Sequence, residues 1–204
     1  TIPEPVDSYG LGFHIKPYQK PHPPIGVAGV SSKSQTLVTA GERGYIPMSV
    51  NIVPTRILKE QGEVVHEAAE KVGRTPDSSQ WRIAREVYIA DTTKQARQEA
   101  MDGVMARDFR EYFFNILPEH KMMDLLKIDP DMSDSDVTIE YLVDNIWIVG
   151  SPDDVADKLS ELHHNVGGFG VLLAMGHEWQ PRDKWESSMT RLAKEVMPKL
   201  ADLN

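Results

Sequence analysis

Short apolar runs alternating with amphipathic helices predict an α/β fold built on a parallel sheet with right-handed crossovers. Two observations carry this prediction. The 204-residue chain reads strand, helix, strand, helix, strand, helix, loop, helix, strand, helix, and its apolar runs are bounded by proline, glycine and serine. With 40% apolar and 26% charged residues it has the composition of one folded domain over 1–204. Four buried strands are too few to close an eight-stranded (β/α)8 barrel, which leaves a small open sheet or half of a barrel.

Six of the 14 prolines fall in the first 24 residues, so Thr1–Pro24 reads as an extended lead-in. Ile25–Gly29 is a buried strand between prolines and serines. Ser34–Glu42 has helical spacing, with Gly44 as its stop. Tyr45–Val50 is a second apolar run, weakened as a central strand by Pro47. Thr55–Val72 is the clearest helix: Ile57, Leu58, Gln61, Val64, Val65, Ala68, Ala69 and Val72 recur at helical spacing up to Gly73. Trp81–Ala90 alternates with period two, with Arg85 intruding on the face of Trp81, Ile83, Val87 and Ile89. Asp91-Thr92-Thr93 caps a helix that runs through Ala96, Ala100 and Val104 to Phe109, Tyr112 and Phe113. Met122–Asp136 is acidic and aperiodic, a long mobile loop inside a 118–145 insertion. Ile146–Val149 is a short extended run. Ser151-Pro152 starts a helix with Asp153 and Asp154 in its first turn. Phe169–Ala174 is the last buried strand, and Arg182–Leu200 the last helix.

Composition excludes several function classes. No cysteine means no disulfide framework and no thiolate zinc site. A net charge of −9 argues against a nucleic-acid backbone binder. No apolar run approaches the ~18 residues of a membrane span, and no secretory signal is visible, so the expected compartment is cytoplasmic. The chain starts at Thr1, not methionine, and reads as the remainder of a longer one.

Gly29-Val30-Ser31-Ser32-Lys33-Ser34 is the best local signal. A strand ends and a helix begins among hydroxyls, where free N–H groups and a positive dipole end can hold a phosphate, with Lys33 adding charge. A plain serine N-cap explains the same residues without a ligand. His177 lies just past the last strand, on the rim where α/β folds bind substrates, and is the substrate-site candidate beside Glu178 and Trp179. His163 and His164 adjoin on one helix and cannot share a metal, and no metal-ligand spacing or GxSxG occurs.

Lys16-Pro-Tyr-Gln-Lys-Pro-His-Pro-Pro-Ile25 followed by Gly26–Ser34 resembles the bacterial luciferase-like monooxygenases. Gly41-Glu-Arg-Gly44, Val87–Thr92, Val149–Asp154, Ser188-Met189 and Glu195–Lys199 fit the same family in order and spacing. The resemblance implies a (β/α)8 barrel of which this chain is the C-terminal half, strands five to eight at Ile25–Gly29, Tyr45–Val50, Trp81–Ala90 and Phe169–Ala174. It implies an FMN-dependent enzyme that uses O2 and reduced FMN from a separate flavin reductase to oxygenate a small apolar organic substrate. A deazaflavin-dependent dehydrogenase on the same barrel, or a non-catalytic half-barrel that binds flavin or a partner, is the alternative. By position, Val30, Ser31 and Ser34 resemble the flavin phosphate ligands, flanked by Gly29 and Ser32, and Met48 to Asn51 lie beneath the flavin ring. Val30 replaces an acidic residue of the family, and Asn51 a tryptophan of the luciferase α-subunit. Phe109–Leu126 begins a lid, with Arg107, Arg110 and His120 as candidates. The catalytic residues belong mostly to the missing N-terminal half, so this fragment alone is expected to be inactive, and it pairs with that half or with another chain as an oligomer.

Overall fold

The computed structural model describes residues 6–10 and 17–203. Part of the proline-rich lead-in, at 1–5 and 11–16, lies outside the described residues. The strands are β1 (Gly26–Gly29), β2 (Ile46–Ser49), β3 (Arg82–Arg85), β4 (Val87–Ile89), β5 (Ile148–Gly150) and β6 (Val171–Ala174). The helices are α1 (Gln35–Arg43), α2 (Thr55–Lys71), α3 (Thr93–Asp102), α4 (Val104–Asp108), α5 (Phe114–Glu119), α6 (Ile139–Asn145), α7 (Pro152–Asn165) and α8 (Arg182–Arg191).

β1, β2, β3 and β6 form one parallel sheet in that order, and the described residues leave β1 and β6 as its edges. Pro47 is tolerated inside β2, a strand paired on both sides. Register places Ala28, Met48, Arg82 and Val171 in one row, and Gly29, Ser49, Ile83 and Leu172 in the next. Successive rows face opposite sides of a sheet. Gly29, Ser49 and Ile83 are buried, whereas Ala28 is exposed and Met48, Arg82 and Val171 are half-buried. One face therefore packs under helices and the other stands open. On the packed face α1 comes so close that a Cβ at Gly29 would sit 2.4 Å from Leu37, and Trp81 Nε1 donates to Ser49 Oγ at 2.9 Å.

The period-two stretch Trp81–Ala90 is two strands. Glu86 separates β3, which pairs with β6, from β4, which pairs with β5 in a second, two-stranded parallel sheet. Buried Ser188 of α8 accepts from the Ile89 N–H at 2.9 Å through its hydroxyl oxygen, and Trp185 stacks edge-on against Tyr88. Gly103 breaks the helix expected to run through Phe113, because there the backbone is extended (φ −93°, ψ −167°). A short α4 and a wide turn at Phe109–Phe113 follow. Likewise the final helix is regular only to Arg191, then widens over Leu192–Val196 and tightens over Met197–Leu203. α6, capped by Thr138 accepting from the Tyr141 N–H, is an element that the aperiodic insertion conceals.

Met122–Asp136 carries two tight turns, at Met123–Leu126 and Asp134–Asp136, and is pinned at its centre. Arg56 of α2 donates to the carbonyls of Lys127 (3.0 and 3.2 Å) and Ile128 (3.1 Å). Tyr141 Oη donates to Leu126 O at 2.9 Å and accepts from the Ile128 N–H at 2.7 Å. Met123, Leu126 and Val137 join the hydrophobic core.

Candidate functional site

The strand-to-helix junction builds a hollow of about 520 Å3 lined by Ala28, Val30, Ser31, Ser34, Thr36 and Lys121, with Met122, Asp124 and Leu125 across from them. Among the described residues, no N–H from Val30 to Lys33 donates to a protein acceptor. They lie at the start of α1, where the dipole favours an anion. Ser31 is exposed, and its hydroxyl makes no hydrogen bond among the described residues. Ser34 differs. Thr36 has a single hydroxyl proton and gives it to Ala28 O at 2.5 Å, so the buried Ser34 hydroxyl donates to Thr36 Oγ1 at 2.8 Å. Ser34 thus braces the junction, and its own hydroxyl proton is committed. Ser32 is half-buried, and Lys33 is exposed and outside the lining.

Lys121 is the lysine among the residues lining the hollow. It follows α5 at φ +55°, a left-handed conformation that non-glycine residues adopt at a cost. The sequence gives no sign of this placement, which depends on the left-handed turn after α5. Asp124 at the same hollow is ion-paired with Lys127 at 2.7 Å.

A second cavity, of about 620 Å3, opens at the carboxyl ends of β2, β3 and β6. Asn51, Glu86, Asp108 and His177 converge there from four segments. Asn51 Nδ2 donates to Glu86 Oε1 at 2.6 Å. His177 Nδ1 lies 2.7 Å from Asp108 Oδ2, and Nε2 lies 3.7 Å from Glu86 Oε1. The other Glu86 oxygen and His177 Nε2 are buried without a partner. Burial holds the Glu86 carboxyl above the usual glutamate range, against the opposing pull of Asn51, His177 and Arg85. Burial likewise lowers the Arg85 guanidinium to about 10; Arg85 lies on the helix side, donating to Asn51 O at 3.3 Å. Arg107 ties the rim together through Glu178 (3.0 Å) and Asp108 (3.4 Å).

The structure therefore places Gly29, Val30, Ser31, Ser32 and Ser34 together at one junction, and Asn51 with His177 at the other site. Met48 is half-buried on the open sheet face between them. Arg107 joins the His177 cavity. Arg110 instead donates to Met101 O at 3.2 Å, and His120 is exposed beside Lys121. Glu86 and Asp108 at the cavity and Lys121 at the hollow are the lining residues that sequence patterning passed over. No group of three metal-ligating side chains occurs among the described residues, and no helix there is long and apolar enough to cross a membrane.

A parallel α/β sheet with hydroxyls at a strand-to-helix junction and a polar cavity at its carboxyl rim defines a class of ligand-binding α/β proteins. The family model for luciferase-like monooxygenases matches residues 4–168, and the chain belongs to that family. It is 36% identical over 187 residues to 3,6-diketocamphane 1,6-monooxygenase of Pseudomonas putida, an alignment covering 91% of this chain and 49% of the relative. It is 32% identical over 178 residues to 2,5-diketocamphane 1,2-monooxygenase 2 of the same organism, covering 85% and 48%. Among solved structures, it matches the oxygenating constituent of 3,6-diketocamphane monooxygenase from P. putida, a type II Baeyer–Villiger monooxygenase in complex with FMN. The TM-score is 0.82 at 35% identity, over 97% of this chain and 54% of that one. A coenzyme F420-dependent tetrahydromethanopterin reductase from Methanopyrus kandleri shares the fold at 20% identity and a TM-score of 0.54. The chain spans about half the length of the curated relatives it matches. Membership makes it part of a flavin-dependent monooxygenase family, as the motifs imply.

Proposed function

We propose that this chain is the FMN-phosphate-binding, C-terminal half of a barrel monooxygenase that oxygenates a small apolar ketone. The run of N–H groups from Val30 to Lys33, unpaired among the described residues beside a hollow that Lys121 lines, is the observation that carries the reading. Those donors and that cation fit a phosphate. Reduced FMN from a separate reductase supplies two electrons, so that one atom of O2 enters the substrate and the other leaves as water. The protein holds the phosphate at Val30–Ser34 and offers the half-buried Met48 beneath the ring. Asn51, Glu86 and His177 line the rim cavity with polar groups that would meet the reacting end of the substrate.

The half-barrel reading draws support from the open face. Ala28, Met48, Arg82 and Val171 lie in the row that helices leave uncovered, and β1 and β6 are edges of the sheet among the described residues. The missing half of the barrel would cover both. The deazaflavin alternative draws on the shared fold only.

Titration of the intact protein with FMN and with a deazaflavin tests the cofactor. Tighter FMN binding is expected; preference for the deazaflavin, or no binding of either, overturns the reading. For the half-barrel, the 204-residue chain alone is expected to bind an apolar dye on its open face. A stable monomer with no such binding refutes it.

A further inference from the structure

Gln61 lies on the buried stripe of α2 and is 0% exposed, at a position where helical periodicity asks for an apolar side chain. Its Nε2 faces three successive backbone carbonyls: Ser31 O at 3.1 Å, Val30 O at 3.2 Å and Gly29 O at 3.4 Å. Three acceptors on one side fix which end of the amide is the nitrogen. The Oε1 atom is left buried and unpartnered. A residue kept only for packing would avoid that cost, since an apolar side chain of similar volume leaves nothing unsatisfied.

The three bonds have a consequence on the far side of the loop. A trans peptide holds each C=O antiparallel to the next N–H. Drawing the carbonyls of Gly29, Val30 and Ser31 toward α2 therefore turns the N–H groups of Val30, Ser31 and Ser32 away from it. Among the described residues, none of these donates to the protein. Successive N–H groups turned to one side make an anion-binding concavity. We propose that Gln61 is a positioning residue for the phosphate end of the flavin. It touches no ligand. It presets the loop so that binding an anion requires no peptide to flip.

This inference rests on the FMN reading, and the test separates the two. FMN and riboflavin differ by the phosphate alone, so the ratio of their dissociation constants in the intact protein isolates the phosphate site. The wild-type ratio is expected to favour FMN strongly; a ratio near one defeats the FMN-phosphate reading itself. Gln61→Met, close in volume, should collapse the ratio at least tenfold while riboflavin affinity and the circular dichroism spectrum hold. Gln61→Asn keeps the polarity but withdraws the amide by one methylene, and should do the same. An unchanged ratio in either folded variant overturns the inference. In the wild type, the Gln61 side-chain amide and the N–H signals of Val30, Ser31 and Ser32 should shift with FMN and not with riboflavin. Failure of these signals to move with FMN overturns it independently of any variant.

Discussion

Asn51→Ala removes the side-chain amide that donates to Glu86 Oε1 at 2.6 Å, on a residue that is 1% exposed and already has its other carboxyl oxygen unpartnered among the described residues. Orphaning a buried acceptor costs about 1–3 kcal/mol. At about 2–4 °C per kcal/mol for a chain of this size, the melting temperature should fall by about 2–12 °C. The loss should also depend on pH. Glu86 has a folded pKa above its unfolded value, so its neutral form favours folding. The resulting stability is present at acid pH and is lost as pH rises through the folded pKa. Asn51 pulls that pKa down, so its removal pushes it further up. The variant should therefore be hurt less at pH 5 than at pH 8.5, by urea denaturation at both. Glu86→Gln removes the titration, and in that background the cost of Asn51→Ala should no longer vary with pH. An equal cost at both pH values in the Glu86 protein would refute the reasoning.

Lys121→Gly relieves the left-handed backbone and should stabilise the protein by about 0.5–1 kcal/mol while weakening FMN binding; a gain in both sinks the assignment of Lys121 to the phosphate. Ser31→Ala should weaken FMN binding more than Ser34→Ala, because only Ser31 has an uncommitted hydroxyl proton; equilibrium dialysis with the reverse order contradicts that. Arg56→Ala should raise amide exchange at Ile128 and its neighbours, where its bonds end, and leave α6 protected; uniform exchange across the segment in both proteins would show that the pin is not at Arg56.

Legibility in the sequence follows what each residue's role depends on. The four strands of the main sheet could be read because each is a short apolar run between breakers. The phosphate junction could be read because strand, hydroxyls and helix adjoin in sequence. His177 follows from its place past a strand, a rule of topology. Glu86 is different. In an alternating stretch it reads as one more outward polar residue, and its burial arises only because the chain changes partner there. Gln61 left a fainter trace, a polar side chain among Ile57, Leu58, Ala68 and Ala69, but the carbonyls it binds lie about 30 residues away. Asp108 reaches His177 across 69 positions, a pairing no local pattern encodes. The insertion hid α6 because its seven residues span under two full turns, too few for periodicity to register.

The change of partner at Glu86 also shapes the order in which the chain can assemble. Joining β3 to β6 directly closes a loop of about 85 residues, whereas β1 to β2 and β2 to β3 close about 17 and about 33. Once β4 has paired with β5, the remaining closure to β6 is about 20 residues. Closure entropy grows as (3/2)RT ln n, so this shortcut lowers the cost of that last step by about 1 kcal/mol. The two-stranded sheet can serve as a splint: with β4 on β5 the whole insertion lies in one closed loop, and the remaining closure to β6 is a local one.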